Sequence, residues 1–185
     1  MFIQTEATPN PATLKFLPGR VVMPAGTADF PNADSAARSP LAQALFAVAG
    51  VEGVFFGADF VTVTKSVDQD WHAMKPVVLG AIMEHFTAGR PILIEGTATA
   101  TGAATAGEDD DIVVQIKELL DTRVRPAVAQ DGGDIVFHSF EDGVVYLHMQ
   151  GSCSGCPSST ATLKSGIENM LRHYIPEVVE VRAVL

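Results

Sequence analysis

The sequence predicts an α+β chain of two small domains joined by a flexible linker, and three observations lead there. Its 185 residues suffice for one large domain or two small ones. Residues 96–107 read GTATATGAATAG, only Gly, Ala and Thr, with no large side chain to bury. On either side, short β-branched runs alternate with amphipathic helical stripes. The expected division is 1–95, a linker at 96–110, and 111–185. The EDDD run at 108–111 reads as a solvated helix start, because carboxylates suit the positive end of a helix dipole.

In the first domain, MFIQTE and TLKFLPG predict a hairpin around the turn residues Pro9, Asn10 and Pro11. SPLAQALFAVAG carries helix punctuation: Ser39 as N-cap, Pro40 at the first helical position, Gly50 beyond the end. VEGVFFG and DFVTVTK predict a second hairpin, with the GADF step as its turn and not a nucleotide fingerprint. Leu79, Ile82, Met83 and Phe86 recur at helical spacing and define one expected apolar face, with Pro76 beginning or kinking the helix. Trp71 reads as a packing residue. His72 and His85 have no paired ligand spacing and no catalytic constellation is visible, so this half reads as a recognition or assembly domain.

The second domain predicts the order α-β-β-α-β, helices on one face of a small mixed sheet. Ile112, Val113, Ile116, Leu119, Leu120 and Val124 form the first stripe, ended by AQDGGD. DIVFHSF and VVYLHM flank EDG, a hairpin signal. Leu163, Ile167, Met170, Leu171 and Tyr174 form the second stripe, which Pro176 stops, and VVEVRAV is a terminal strand. DGGD at 131–134 reads as a helix-to-strand turn with Gly132 or Gly133 at positive φ. Arg125 faces two readings, the helix end or the charge of a bound group, and the sequence does not choose.

Composition narrows the function. Apolar residues make up 47% and charged residues 18%, so a core can form without disulfide staples. A net charge of −10 argues against nucleic acid and against anionic membrane surfaces as partners. No apolar run approaches the roughly 18 residues of a membrane span. The start, MFIQTEATPNP, lacks the pattern of a secretory signal or an Arg-rich transit peptide. The expected location is cytoplasmic, or the mitochondrial matrix for a processed organellar form.

The chemistry lies in QGSCSGCPSS, residues 150–159, which holds both cysteines of the chain, Cys153 and Cys156. In a reducing compartment such a pair is more often metal-binding or redox-active than a structural disulfide. If Pro157 opens a helix, Cys156 is its N-cap, and the dipole favours thiolate, the form that binds metal or attacks disulfides. Gly151 and Gly155 let backbone N–H groups approach a bound group. A structural zinc or a four-iron cluster takes four protein ligands, and this chain supplies two. His138, His148 and His173 stand at no finger spacing from the cysteines; the first two read as strand residues, the third as a partner of a helix C-terminus. Two chains giving two sulfurs each would close one cluster or one metal at a two-fold interface. Such a site comes apart when the chains separate, which suits a carrier. Readings that stay open on spacing alone are a dithiol–disulfide oxidoreductase, a zinc-bridged dimer and an inert pair.

RPAVAQDGGDIVF (125–137), GSCSGCPSSTATLKSGIE (151–168) and IPEVVEVRAV together resemble the NifU-type domain of Nfu iron–sulfur scaffold proteins. FIQTEATPNPATLKFLPG and GVEGVFFGADFVTVTK resemble the N-terminal domain that accompanies it. The resemblance covers nearly the whole chain apart from the linker. It implies a non-enzymatic carrier of a [4Fe–4S] cluster bridged between two subunits, homodimeric when loaded. It further implies Cys153 and Cys156 as the cluster ligands, a donor scaffold upstream and apo iron–sulfur enzymes as recipients. The N-terminal domain is implied to contact partners, in keeping with its lack of Cys. The runner-up, a dithiol–disulfide oxidoreductase, expects its CxxC in a βαβ setting, whereas this pair follows a hairpin.

Overall fold

The computed structural model describes residues 1–94, 111–154 and 157–184, without side chains at 157–160. The expected linker at 96–110 and Cys156 lie outside the described residues. The chain divides into two compact units, Met1–Ala100 and Thr101–Leu185. Both combine helices with a sheet, the α+β class expected.

In the first unit β1 (Gln4–Ala7) and β2 (Thr13–Leu17) pair antiparallel, Gln4 opposite Leu17. Asn10 shapes their turn: its Oδ1 accepts from the Ala12 N–H at 3.0 Å. A short edge strand follows, β3 (Ala28–Phe30), which the sequence did not announce because three residues carry no alternation to read. A 3₁₀ turn at Ser35–Arg38 leads into α1 (Pro40–Phe46). Ser39 caps α1, its hydroxyl accepting from the Ala42 N–H, and Pro40 costs nothing at a position whose N–H has no helical partner. β4 (Val51–Phe56) and β5 (Val61–Lys65) form the second hairpin, and α2 (Trp71–Thr87) closes the unit. The antiparallel sheet has the order β1-β2-β5-β4-β3. Its inner row of Phe16, Val54, Phe56, Val61 and Val63 packs with Leu41, Leu45, Val78 and Ile82.

For α2 one reading of Pro76 is excluded and the expected apolar face is corrected. The helix begins at Trp71, capped by Asp70, whose carboxylate accepts from the His72 N–H at 2.9 Å; Pro76 lies inside it and not at its start. Its buried stripe is Met74, Val78, Ile82 and His85, while Met83 is 41% exposed and Leu79 and Phe86 are half-buried. The helix is apolar around most of its circumference, so periodicity alone cannot choose the inward face. Trp71 packs as expected, edge-on to Phe16 with centroids 6.3 Å apart, and its indole donates to the Pro11 carbonyl.

The second unit opens with α3 (Asp111–Leu119), a π-helical turn at Leu120–Val124, and α4 (Arg125–Gln130). The helical run reaches Gln130, inside the AQDGGD segment expected to end it, and its buried residues are Ile116, Leu120, Val124 and Val128. A strict every-fourth spacing drifts about 40° per step around an α-helix. The wider π turn takes up that drift and relieves the ring of Pro126, which would clash with the carbonyl four residues earlier. β6 (Gly133–Glu141) and β7 (Val144–Gly151) form the hairpin, with Asp142 at φ 51° and Gly143 at φ 80° giving the mirror-image turn that fits twisted strands. α5 (Pro157–Tyr174) returns the chain to β8 (Glu180–Val184), which pairs parallel to β7. The order β6-β7-β8 is thus mixed, as expected. Ile135, Val145, Leu147, Met149 and Val181 line one sheet face and pack with Ile116, Leu120, Ile167 and Leu171. Tyr174 is corrected: it is 47% exposed, with the Arg123 guanidinium over its ring at 5.1 Å.

Candidate functional site

The cysteine loop leaves the sheet where β7 ends and β6 begins, since Gly151 stands directly opposite Gly133. Gly151 has φ 64° and Gly132 φ 80°, left-handed conformations that a side chain would strain. These two glycines turn the chain at adjacent points, so the loop after β7 lies against the DGGD turn. Gly132 is the DGGD residue at positive φ, resolving the two options the sequence offered. α5 starts at Pro157, as the CxxCP pattern predicts.

Three contacts fasten the loop to that turn. The Ser152 N–H donates to the Gly132 carbonyl at 3.2 Å. The Ser152 hydroxyl donates to the Asp131 carbonyl. Cys153 then packs over Gly133: a methyl group built on Gly133 would stand 2.6 Å from the thiol sulfur, 2.8 Å from the Gln150 carbonyl oxygen and 3.1 Å from the Cys153 nitrogen. Only a bare α-carbon fits there. Cys153 is 6% exposed and belongs to the apolar core of the unit.

On the far side of the turn Asp134 is buried, its side chain 4% exposed. Arg125 grips it with two parallel bonds, Nε to Oδ1 and Nη2 to Oδ2, both 2.8 Å. The Ile135 N–H donates to Oδ1 as well, at 2.8 Å. Arg125 also reaches Asp121 through Nη1 at 3.1 Å. Asp134 holds the Arg125 pKa above its ordinary value, by hydrogen bonding first and against the effect of burial. Arg125 is thus engaged by side chains of the turn and of the preceding helical turn.

Sequence reasoning reached Cys153, Gly132 and Gly133 but missed Asp134 as the keystone. One signal was available, the i, i+4 spacing of Asp121 and Arg125. The histidines do not join the site. His138 is exposed at the β6 bulge, His148 is half-buried opposite Val136, and His173 lies in the last turn of α5 with its ring edge on Tyr174. Among the described residues no three His, Cys, Asp or Glu side chains come together as a metal set.

Comparison with known proteins gives two family matches. The family described as scaffold protein Nfu/NifU N terminal matches residues 3–89, and the NifU-like domain matches residues 116–182. The human mitochondrial NFU1 iron–sulfur cluster scaffold homolog is 54% identical over this whole chain, which spans 72% of that protein. The mitochondrial NifU-like protein 4 of Arabidopsis thaliana is 55% identical over 96% of this chain, and the match spans 64% of that protein. A solution structure of a NifU-like protein from Saccharomyces cerevisiae is 27% identical, covers 51% of this chain and 86% of its own, and superposes with a TM-score of 0.47.

Proposed function

Because this chain belongs to the Nfu/NifU-like family of iron–sulfur cluster scaffold proteins, we propose that it carries a [4Fe–4S] cluster on Cys153 and Cys156, shared between two copies, and hands it to apo-proteins. The observation that carries this reading is the match to the family in both halves, the NifU-like part including the chain's two cysteines. Ligand arithmetic supports the sharing: four thiolates hold such a cluster and one chain offers two. The domain boundaries we propose are 1–95 for recognition and assembly, a linker at 96–110, and 111–185 for cluster binding.

In transfer, each iron–thiolate bond to this protein breaks as one to a recipient cysteine forms. The proton leaving the recipient thiol balances the one the released cysteine regains. No electron moves and no substrate is turned over, so the protein is a carrier and not an enzyme. A dithiol–disulfide oxidoreductase expects its CxxC in a βαβ setting, whereas Cys153 follows the β6–β7 hairpin. The donor is a scaffold that builds clusters, the recipients are apo iron–sulfur enzymes, and neither nucleic acid nor membrane is a partner. Among the described residues no helix is long and apolar enough to cross a membrane. The compartment we infer is a reducing one, the cytoplasm or the mitochondrial matrix, the organelle that the human and Arabidopsis relatives carry in their names.

Anaerobic reconstitution with iron and sulfide tests the proposal. The expected result is about two irons per chain in a species of doubled mass, with a four-iron Mössbauer signature. A full cluster held by single chains, or a stable complement of zinc instead, overturns it.

A further inference from the structure

We propose that Arg125 and Asp134 are positioning residues that keep Cys153 seated in the cargo-free protein. The inference rests on the reading of Cys153 as a cluster ligand for its meaning, but not for its test. Asp134 is joined directly to Gly133, and Gly133 is the floor on which the Cys153 sulfur rests. Neighbouring residues of a strand face opposite sides, so Asp134 points away from Cys153 as Gly133 meets it. The pair is placed to act on the cysteine seat through one peptide unit.

The residues on either side of that peptide unit are held. Arg125 fixes both carboxylate oxygens of Asp134, and the Ile135 N–H shares Oδ1. On the other side Ser152 is bonded to Asp131 and Gly132. A planar guanidinium gripping a carboxylate through two parallel bonds fixes orientation as well as distance, which a single point charge cannot do. The grip also ties the start of β6 to the first residue of α4, directly after the π turn. The turn under the cysteine loop is therefore set by a charged clamp anchored in the helical layer. Loosening the clamp frees Gly133 to shift, and Cys153 loses the surface that keeps it from solvent.

The test uses the full chain in a Cys156→Ser background, leaving Cys153 as its one thiol. Alkylation rates of Cys153 by iodoacetamide are measured in the cargo-free state for the parent, Asp134→Asn and Arg125→Lys. The unfolding equilibrium constant of each is measured by urea titration. Asp134→Asn keeps the shape of the side chain while removing its charge. The expected result is that alkylation accelerates at least about tenfold more than the unfolding constant rises in Asp134→Asn, with a smaller excess in Arg125→Lys, which keeps the charge but not the fork. Rates that rise only in proportion to global unfolding, or that do not change, overturn the proposal: the pair would then serve stability alone. No iron enters this measurement, so its outcome stands apart from the reconstitution that tests the function itself.

Discussion

Single side chains decide several properties that no element-level description contains. His85 is 2% exposed on the inner side of α2, and neither ring nitrogen makes a well-formed hydrogen bond. Burial holds its pKa below the ordinary 6.5, the Arg90 charge adds to this, and the Arg90 backbone offsets it in part. A histidine kept neutral by the fold binds fewer protons folded than unfolded. Stability is therefore fully present above the unfolded pKa and is lost as pH falls below about 6.5, no more steeply than about 1.4 kcal/mol per pH unit. Replacing His85 with Leu is expected to flatten that slope between pH 7 and pH 5. Urea midpoints of the first unit across this range check it; an unchanged slope would place the acid sensitivity elsewhere. The sequence showed a histidine on a helix but not its burial, because the face α2 turns inward is not legible from an all-round apolar pattern. Cys153 illustrates the same gap: its spacing from Cys156 is read directly from the chain, while its seat over Gly133 depends on a turn about twenty residues earlier.

At the scale of elements, caps and turns carried the most readable information. Ser39 and Pro40 placed the start of α1, and Asp142–Gly143 placed the β6–β7 hairpin, because each residue type meets a local backbone requirement; Gly50 did not mark its end, which falls at Phe46 with Ala47 as cap. Ser39 does more than its local role. Fully buried, it accepts from the Ala42 N–H and donates to the Ile92 carbonyl at 2.5 Å, while the Ile94 N–H donates to the Arg38 carbonyl. The cap thereby fastens the segment after α2 to the start of α1. Ser39→Ala removes a cap and leaves the half-buried Ile92 carbonyl without that donor, an expected loss of about 1–3 kcal/mol. Thermal unfolding of the first unit measures it; a change within about 0.5 kcal/mol would mean that the segment settles elsewhere. The π turn at Leu120–Val124 was not legible, because only packing on the sheet makes every fourth residue point inward.

For the whole molecule, the central question is whether the cargo holds the fold together. The second unit has its own apolar core, from Ile116 and Leu120 through Leu147 to Leu171 and Val181. Stripping iron from reconstituted protein with a chelator is thus expected to return the doubled mass to that of single chains while the far-ultraviolet dichroism stays the same. Loss of secondary structure on chelation would make the metal structural instead. The amino-acid sequence by itself determined the α+β class, the two-part organisation and most strands and helices, and it singled out the cysteine pair on which the proposed function rests. These follow from period, punctuation and spacing, all properties of neighbours along the chain. The tertiary structure alone decided that Arg125 grips Asp134, that Cys153 rests on Gly133, and which face of α2 is inward. Those outcomes depend on groups brought together across a sheet and a helical layer, where close packing and the cost of burying unpaired charge select one arrangement among several that the local pattern permits.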